Sequence, residues 1–156
     1  MSTLILRPNQ DTTFAQQECS SGTTHYILID EATKDEADYC CNTTASVTTK
    51  TDLYELPNHS KETGTINSVT VKLYAKYTLI GTDSGTAYIK PIVRVGDTNY
   101  GDNQALTDAV ALYSQTWTVN PFTSSAWTWT NIDALIAGDA LTNCATNAKN
   151  YKSTYC

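Results

Sequence analysis

The chain has 156 residues, a length that fits one domain able to bury roughly 70% of its unfolded surface without metal or disulfide staples. Charged residues are 17%, against about 25% in an average soluble domain, and hydroxyl side chains take their place, with 27 Thr and 10 Tyr. The net charge of −6 excludes a phosphate-neutralising nucleic-acid face and docking on anionic membranes.

In chain order, residues 3–7 (TLILR) predict a short strand stopped by Pro8. The polar stretch 9–23 predicts loop, 24–30 (THYILID) a second strand, and 31–38 (EATKDEAD) an acidic connection. Residues 39–56 predict two short strands ending in DLYEL. The strongest signal is TINSVTVKLYAKYTLI at 65–80. Val69, Val71, Leu73, Ala75, Tyr77 and Leu79 share one face and Thr70, Lys72, Tyr74, Lys76 and Thr78 the other, the mark of a strand with one buried face. After the turn cluster GTDSG, residues 86–95 alternate again, so the two segments predict a hairpin at the centre of the fold. Pro91 cannot donate to a ladder, which places that strand at an edge or a bulge. Residues 110–119 predict a strand with Tyr113, Trp117 and Val119 on one face. TNIDALIAGD (130–139) predicts the one short α-helix, near 130–138. Thr130 and Asp133 form its capping box, Ile132, Leu135 and Ile136 its apolar face, and Gly138 its stop. Many short strands and one small helix predict an all-β fold: an antiparallel β-sandwich of jelly-roll type, one domain over 1–156.

Motifs of catalysis are missing. There is no phosphate loop, no GxGxxG, no GxSxG elbow and no HExxH. No catalytic residue is named, and the expectation is a protein that is not an enzyme. The five cysteines, Cys19, Cys40, Cys41, Cys144 and Cys156, form no CxxC pair, and His25 and His59 do not fall at zinc-ligand spacing with them. All five are disulfide candidates. Adjacent Cys40 and Cys41 point to opposite faces of a strand, so one can pair with Cys19 while the other stays buried.

Three ligand readings stand beside bland ones. Asp30, Glu31, Asp35 and Asp38 offer oxygens to calcium, and a solvated acidic loop is the default; 96–104 (GDTNYGDNQ) is a weaker candidate of the same kind. No other cofactor is implied. Trp127, Trp129 and Tyr100 are candidates to stack on sugar rings, against the commoner role of Trp as a buried anchor. Asn42 (NTT) and Asn58 (NHS) match the N-glycosylation pattern.

Taken together, LRPN (6–9), the acids of 30–38, TDLYEL (51–56), TINSVTVKLYAK (65–76) and NPFTSSAWTWTNIDALIAG (120–138) are ordered along most of the chain. In that order they resemble a diffuse family of small jelly-roll-like β-sandwich domains from structural proteins of tailed phages, archaeal viruses and microbial surfaces. The resemblance implies a virion or surface component: capsid decoration, head fibre or tail accessory, assembling with itself and with other virion or surface proteins. It carries no catalytic residue. Such domains continue past YKSTYC into a final apolar strand, so the resemblance implies a shortened last strand or one supplied by a neighbouring chain.

The leading expectation is therefore a non-enzymatic virion structural protein, and the alternative an extracellular carbohydrate-binding or adhesin module, or a filament or surface-layer subunit. The matching location is a virion surface or the extracellular space. No apolar run approaches the ~18 residues of a membrane span, and MSTLILR lacks the basic start of a secretory signal.

Overall fold

A computed structural model describes residues 3–30, 32, 36–43, 47–60, 63–79, 85–143 and 148–154. In it the alternating segments become strands of two facing sheets. The first sheet runs β1 (Gln10–Ala15), β4 (Thr49–Glu55), β10 (Ile136–Thr142), β6 (Tyr88–Val95), β7 (Thr98–Tyr100), with β8 (Gln104–Ala105) also on β6. The second runs β2 (Glu18–Cys19), β3 (Cys40–Asn42), β11 (Ala148–Thr154), β5 (Val69–Leu79), β9 (Ala111–Trp117). All pairings between these strands are antiparallel. A 3-10 turn (Tyr26–Leu28) and one helix, α1 (Trp129–Asp133), complete the regular structure among the described residues. This is the antiparallel β-sandwich with one short helix that the composition predicts. No helix among the described residues is long and apolar enough to cross a membrane.

The alternation at 69–79 folds as read: Val71, Leu73 and Ala75 are buried, with Val69 and Tyr77 packed beside them. Its predicted hairpin partner is a correction. The segment at 88–95 lies in the opposite sheet, and its inward residues Ile89 and Val93 meet Val71, Leu73 and Ala75 across the core. Two alternating strands present apolar faces equally well side by side or face to face. Here β5 is flanked by β9 and β11, so β6 takes the other layer.

Pro91 sits opposite Asp139 on β10. On its other side β8 pairs Tyr88 and Ile89, and β7 pairs Val93 to Val95, so the partner strand is interrupted beside the proline. Gly101 fills that break: a Cβ there would stand 2.1 Å from the Pro91 carbonyl oxygen. The missing N–H of proline thus falls at a gap in the ladder within a strand paired on both sides.

Four other expectations change. Residues 3–7 form no strand, and the strand appears at 10–15, within the predicted loop, with β2 close behind. The predicted strand at 24–30 is a turn: the Asp11 carboxylate accepts from the backbone N–H groups of His25 (2.8 Å) and Tyr26 (2.7 Å), and Leu28 N–H donates to the His25 carbonyl. The helix is shorter and starts earlier. Thr128 is its N-cap, accepting from Asn131 N–H at 3.2 Å while the Asn131 side chain accepts from Thr128 N–H, so the capping box is Thr128 with Asn131, not Thr130 with Asp133. After Asp133 the chain becomes β10, between β4 and β6, and Gly138 is a strand residue rather than a helix stop.

Candidate functional site

The helix end, the exit of β4 and the start of β10 border a cleft of about 250 Å³ lined by Glu55, Leu56, Asn58, Asp133, Ala134, Leu135 and Ile136. The strand pairing fixes it, because Glu55, the last residue of β4, lies opposite Ile136, the first of β10. Glu55 and Asn58 are exposed, Leu56 and Ile136 half-buried, and Leu135 buried. Polar and apolar side chains thus line one small cleft.

One wall is braced. Asp133 accepts from both the His59 ring at 2.6 Å and the His59 backbone N–H at 3.0 Å. These contacts hold the Asp133 carboxyl below the usual carboxylate range, the imidazole hydrogen bond being the largest cause. The His59 ring stacks on Trp129 at 4.8 Å between centroids, and the Trp129 indole N–H donates to the Gly64 carbonyl at 3.0 Å. His59 and Gly64 are thereby tied to the helix.

Of the aromatic candidates, Trp127 is a correction. It is 4% exposed, belongs to the main core, and spends its N–H on the Trp117 carbonyl at 3.1 Å, so it offers no face to a sugar. Trp129 is half-buried beside the cleft, with one ring face against His59. Tyr100, half-buried in β7, packs on the core and does not line the cleft. The structure thus brings together Trp129, His59, Asp133, Glu55 and Asn58, and of these only Trp129 was a sugar candidate from sequence. Asn58 stood out only as a glycosylation match and Asp133 only as a capping residue, and the site itself gave no signal, since the cleft joins segments about eighty residues apart in the chain, an interval set by β4 and β10 being neighbours.

Asp30 and Asp38 are half-buried, and neither belongs to a group of three close ligand side chains among the described residues; Glu31 and Asp35 lie outside them. In the 96–104 segment, Asp97 pairs with Arg94 at 3.2 Å and Asp102 exchanges hydrogen bonds with Gln115. Asn42 is sealed in the interior, its amide donating to the Thr48 and Leu141 carbonyls at 3.0 Å each, which closes its glycosylation pattern in the folded protein. Cys19, Cys40 and Cys41 carry thiols, and Cys144 and Cys156 lie outside the described residues.

A second polar assembly is buried between the sheets. Asp52, on β4, is fully buried. Its Oδ1 accepts from the backbone N–H groups of Gln16 (2.7 Å) and Gln17 (2.9 Å). Its Oδ2 accepts from the His25 ring at 2.7 Å and the Tyr54 hydroxyl at 3.0 Å. Gln17 passes the network on, donating to Asp139 of β10 at 2.9 Å. Burial, with the nearby Asp52 charge second, raises the Tyr54 pKa well above 10.

No family model and no curated protein matches the chain. Among solved structures, it is similar to TmCBM61 in complex with beta-1,4-galactotriose, at 6% identity and TM-score 0.48, covering 78% of this chain and 70% of that one. It is also similar to a chain from "CBM4 structure and function", at 14% identity and TM-score 0.42, covering 76% and 80%. Both are carbohydrate-binding modules. At these identities and TM-scores the likeness reaches no ligand and no site residue.

Proposed function

We propose that this chain is a non-catalytic binding module for neutral saccharides, with the cleft at the helix end as its binding site. The observation that carries this is the convergence of Glu55, Asn58 and Asp133 with the apolar Leu56, Leu135 and Ile136 on one cleft. A saccharide has the matching chemistry. Its hydroxyls donate to carboxylates and exchange hydrogen bonds with an amide, and its C–H faces cover apolar surface. The half-buried Trp129 is linked to the site through His59, on which it stacks, and so through Asp133. Two carboxylates at one site repel carboxylated or sulfated sugars, so the ligand class is neutral. An extracellular place of work goes with this reading. The virion reading rests on the ordered sequence segments alone.

Titration calorimetry against a panel of neutral and acidic oligosaccharides tests the proposal. Binding of at least one neutral oligosaccharide is expected, lost in the Glu55→Ala/Asn58→Ala double variant. Because both residues are exposed, that variant keeps the fold. Failure of every neutral sugar to bind, or binding indifferent to the double substitution, would remove the site.

A further inference from the structure

His25 is distant from the cysteines in sequence spacing but not in space. The sulfurs of Cys19 and Cys40 and a ring nitrogen of His25 all lie within 4.8 Å of one another. Three separate pieces of chain bring them there. Cys19 and Cys40 are directly opposite on β2 and β3. The next pair, Ser20 and Tyr39, is hydrogen-bonded through Ser20 N–H at 2.9 Å. Cys19 and Cys40 therefore occupy a non-hydrogen-bonded position, where the side chains of an antiparallel pair come closest. His25 enters from the turn that Asp11 pins, and its ring is buried at 7% exposure.

We propose that Cys19, Cys40 and His25 form a binding site for Zn²⁺. Two thiolates and an imidazole are a ligand set that selects a soft divalent ion of this kind. The second observation is the support behind the imidazole. Asp52 Oδ2 accepts a hydrogen bond from His25 Nδ1 at 2.7 Å, while its other oxygen is held by two backbone N–H groups. A buried, anchored carboxylate on one ring nitrogen is the arrangement that orients a metal-bound histidine and leaves the Nε2 lone pair to the ion. Tetrahedral zinc with Zn–S of about 2.3 Å sets its sulfurs about 3.8 Å apart, so closing the site needs a movement of at most about 1 Å between them. Cys19 lies on a two-residue strand at the sheet edge, where such a movement is least resisted. Three protein ligands leave the fourth position to water. Cys41 points to the other face of β3, its thiol directed to the Glu18 carbonyl at 3.5 Å, and stays outside the set. Binding releases the two thiol protons, so affinity rises with pH.

The test uses the full chain, reduced and freed of metal, titrated with Co²⁺ as a spectroscopic probe. A thiolate-to-cobalt charge-transfer band saturating at one equivalent, and bleached by one equivalent of Zn²⁺, is expected. Zn²⁺ should also raise the thermal midpoint relative to chelator. Cys19→Ser should abolish both effects, and Cys41→Ser neither. Cys40 is buried, so half-buried Cys19 is the decisive position, with circular dichroism confirming that the variant folds. Absence of the band at saturating Co²⁺, or its persistence in Cys19→Ser, overturns the site. So does a Cys19–Cys40 disulfide found by peptide mapping in protein whose thiols were blocked at lysis, since one pair of sulfurs cannot do both.

Discussion

His25 and Asp52 meet at 2.7 Å in the interior, one from a turn and one from a strand, with the carboxylate fully enclosed. That carboxylate accepts from four donors, the N–H groups of Gln16 and Gln17, the His25 ring and the Tyr54 hydroxyl. Removing an acceptor of this kind leaves buried donors with their desolvation cost. Asp52→Ala is expected to cost more than about 3 kcal/mol, read as a fall in the urea midpoint with unchanged slope. An unchanged midpoint would show that the network is not structural.

Tyr54 carries the alkaline counterpart. Its folded pKa lies well above 10, first because burial penalises phenolate and then because Asp52 is beside it. A raised pKa stabilises the fold below the unfolded value of about 10, and that contribution is lost as pH rises through the folded value. Native protein should therefore show no tyrosinate from Tyr54 until it unfolds, in a wild-type minus Tyr54→Phe absorbance titration. Tyr54→Phe itself should cost about 1.5–3 kcal/mol at neutral pH, as expected for a hydrogen bond to a charged group.

The acid limb belongs in part to Asp133. Its folded pKa is lowered, mainly by the His59 ring, so its contribution is complete above the unfolded value and fades as pH falls through the folded one. Thermal midpoints measured downward from pH 6 should fall more steeply in the wild type than in Asp133→Asn. Parallel curves would show that the His59 contact adds nothing to stability.

Gly138 is a close-approach glycine. A Cβ there would stand 2.1 Å from the Asp52 carbonyl oxygen, which is backbone and cannot swing away. Gly138→Ala is expected to destabilise by about 1–3 kcal/mol through overpacking, seen as a lowered thermal midpoint. Wild-type stability in this variant would mean that β4 and β10 have room to part.

The parts of this fold that could be read in advance are those where polarity tracks burial. Val71, Leu73 and Ala75 alternate with Thr70, Lys72 and Tyr74, and the strand follows. The strand at 136–142 hid because its inward face carries Asp139, buried within the network, and its outward face carries Ile136 and Ala140, packed with Leu53 and Ile92. Apolar residues on both faces and one buried acid imitate a helical stripe. The strand at 10–15 hid for a similar reason, since Asp11 and Thr12 are spent on hydrogen bonds to distant backbone. The cleft and the thiol–imidazole cluster left no trace in residue spacing, because the cleft joins β4 to β10, far along the chain, and the cluster adds His25 from a turn to a β2–β3 pair.

The two strands that come last in sequence, β10 and β11, occupy the middle of their sheets. Gln17 finds its partner on Asp139, 122 residues away, and Asn42 reaches Leu141 across 99. On a ribosome, then, the first two-thirds of this chain emerges with a gap at the centre of each layer. Its earlier strands wait for synthesis to deliver the segments that join them, and the long closures place the protein among slow folders.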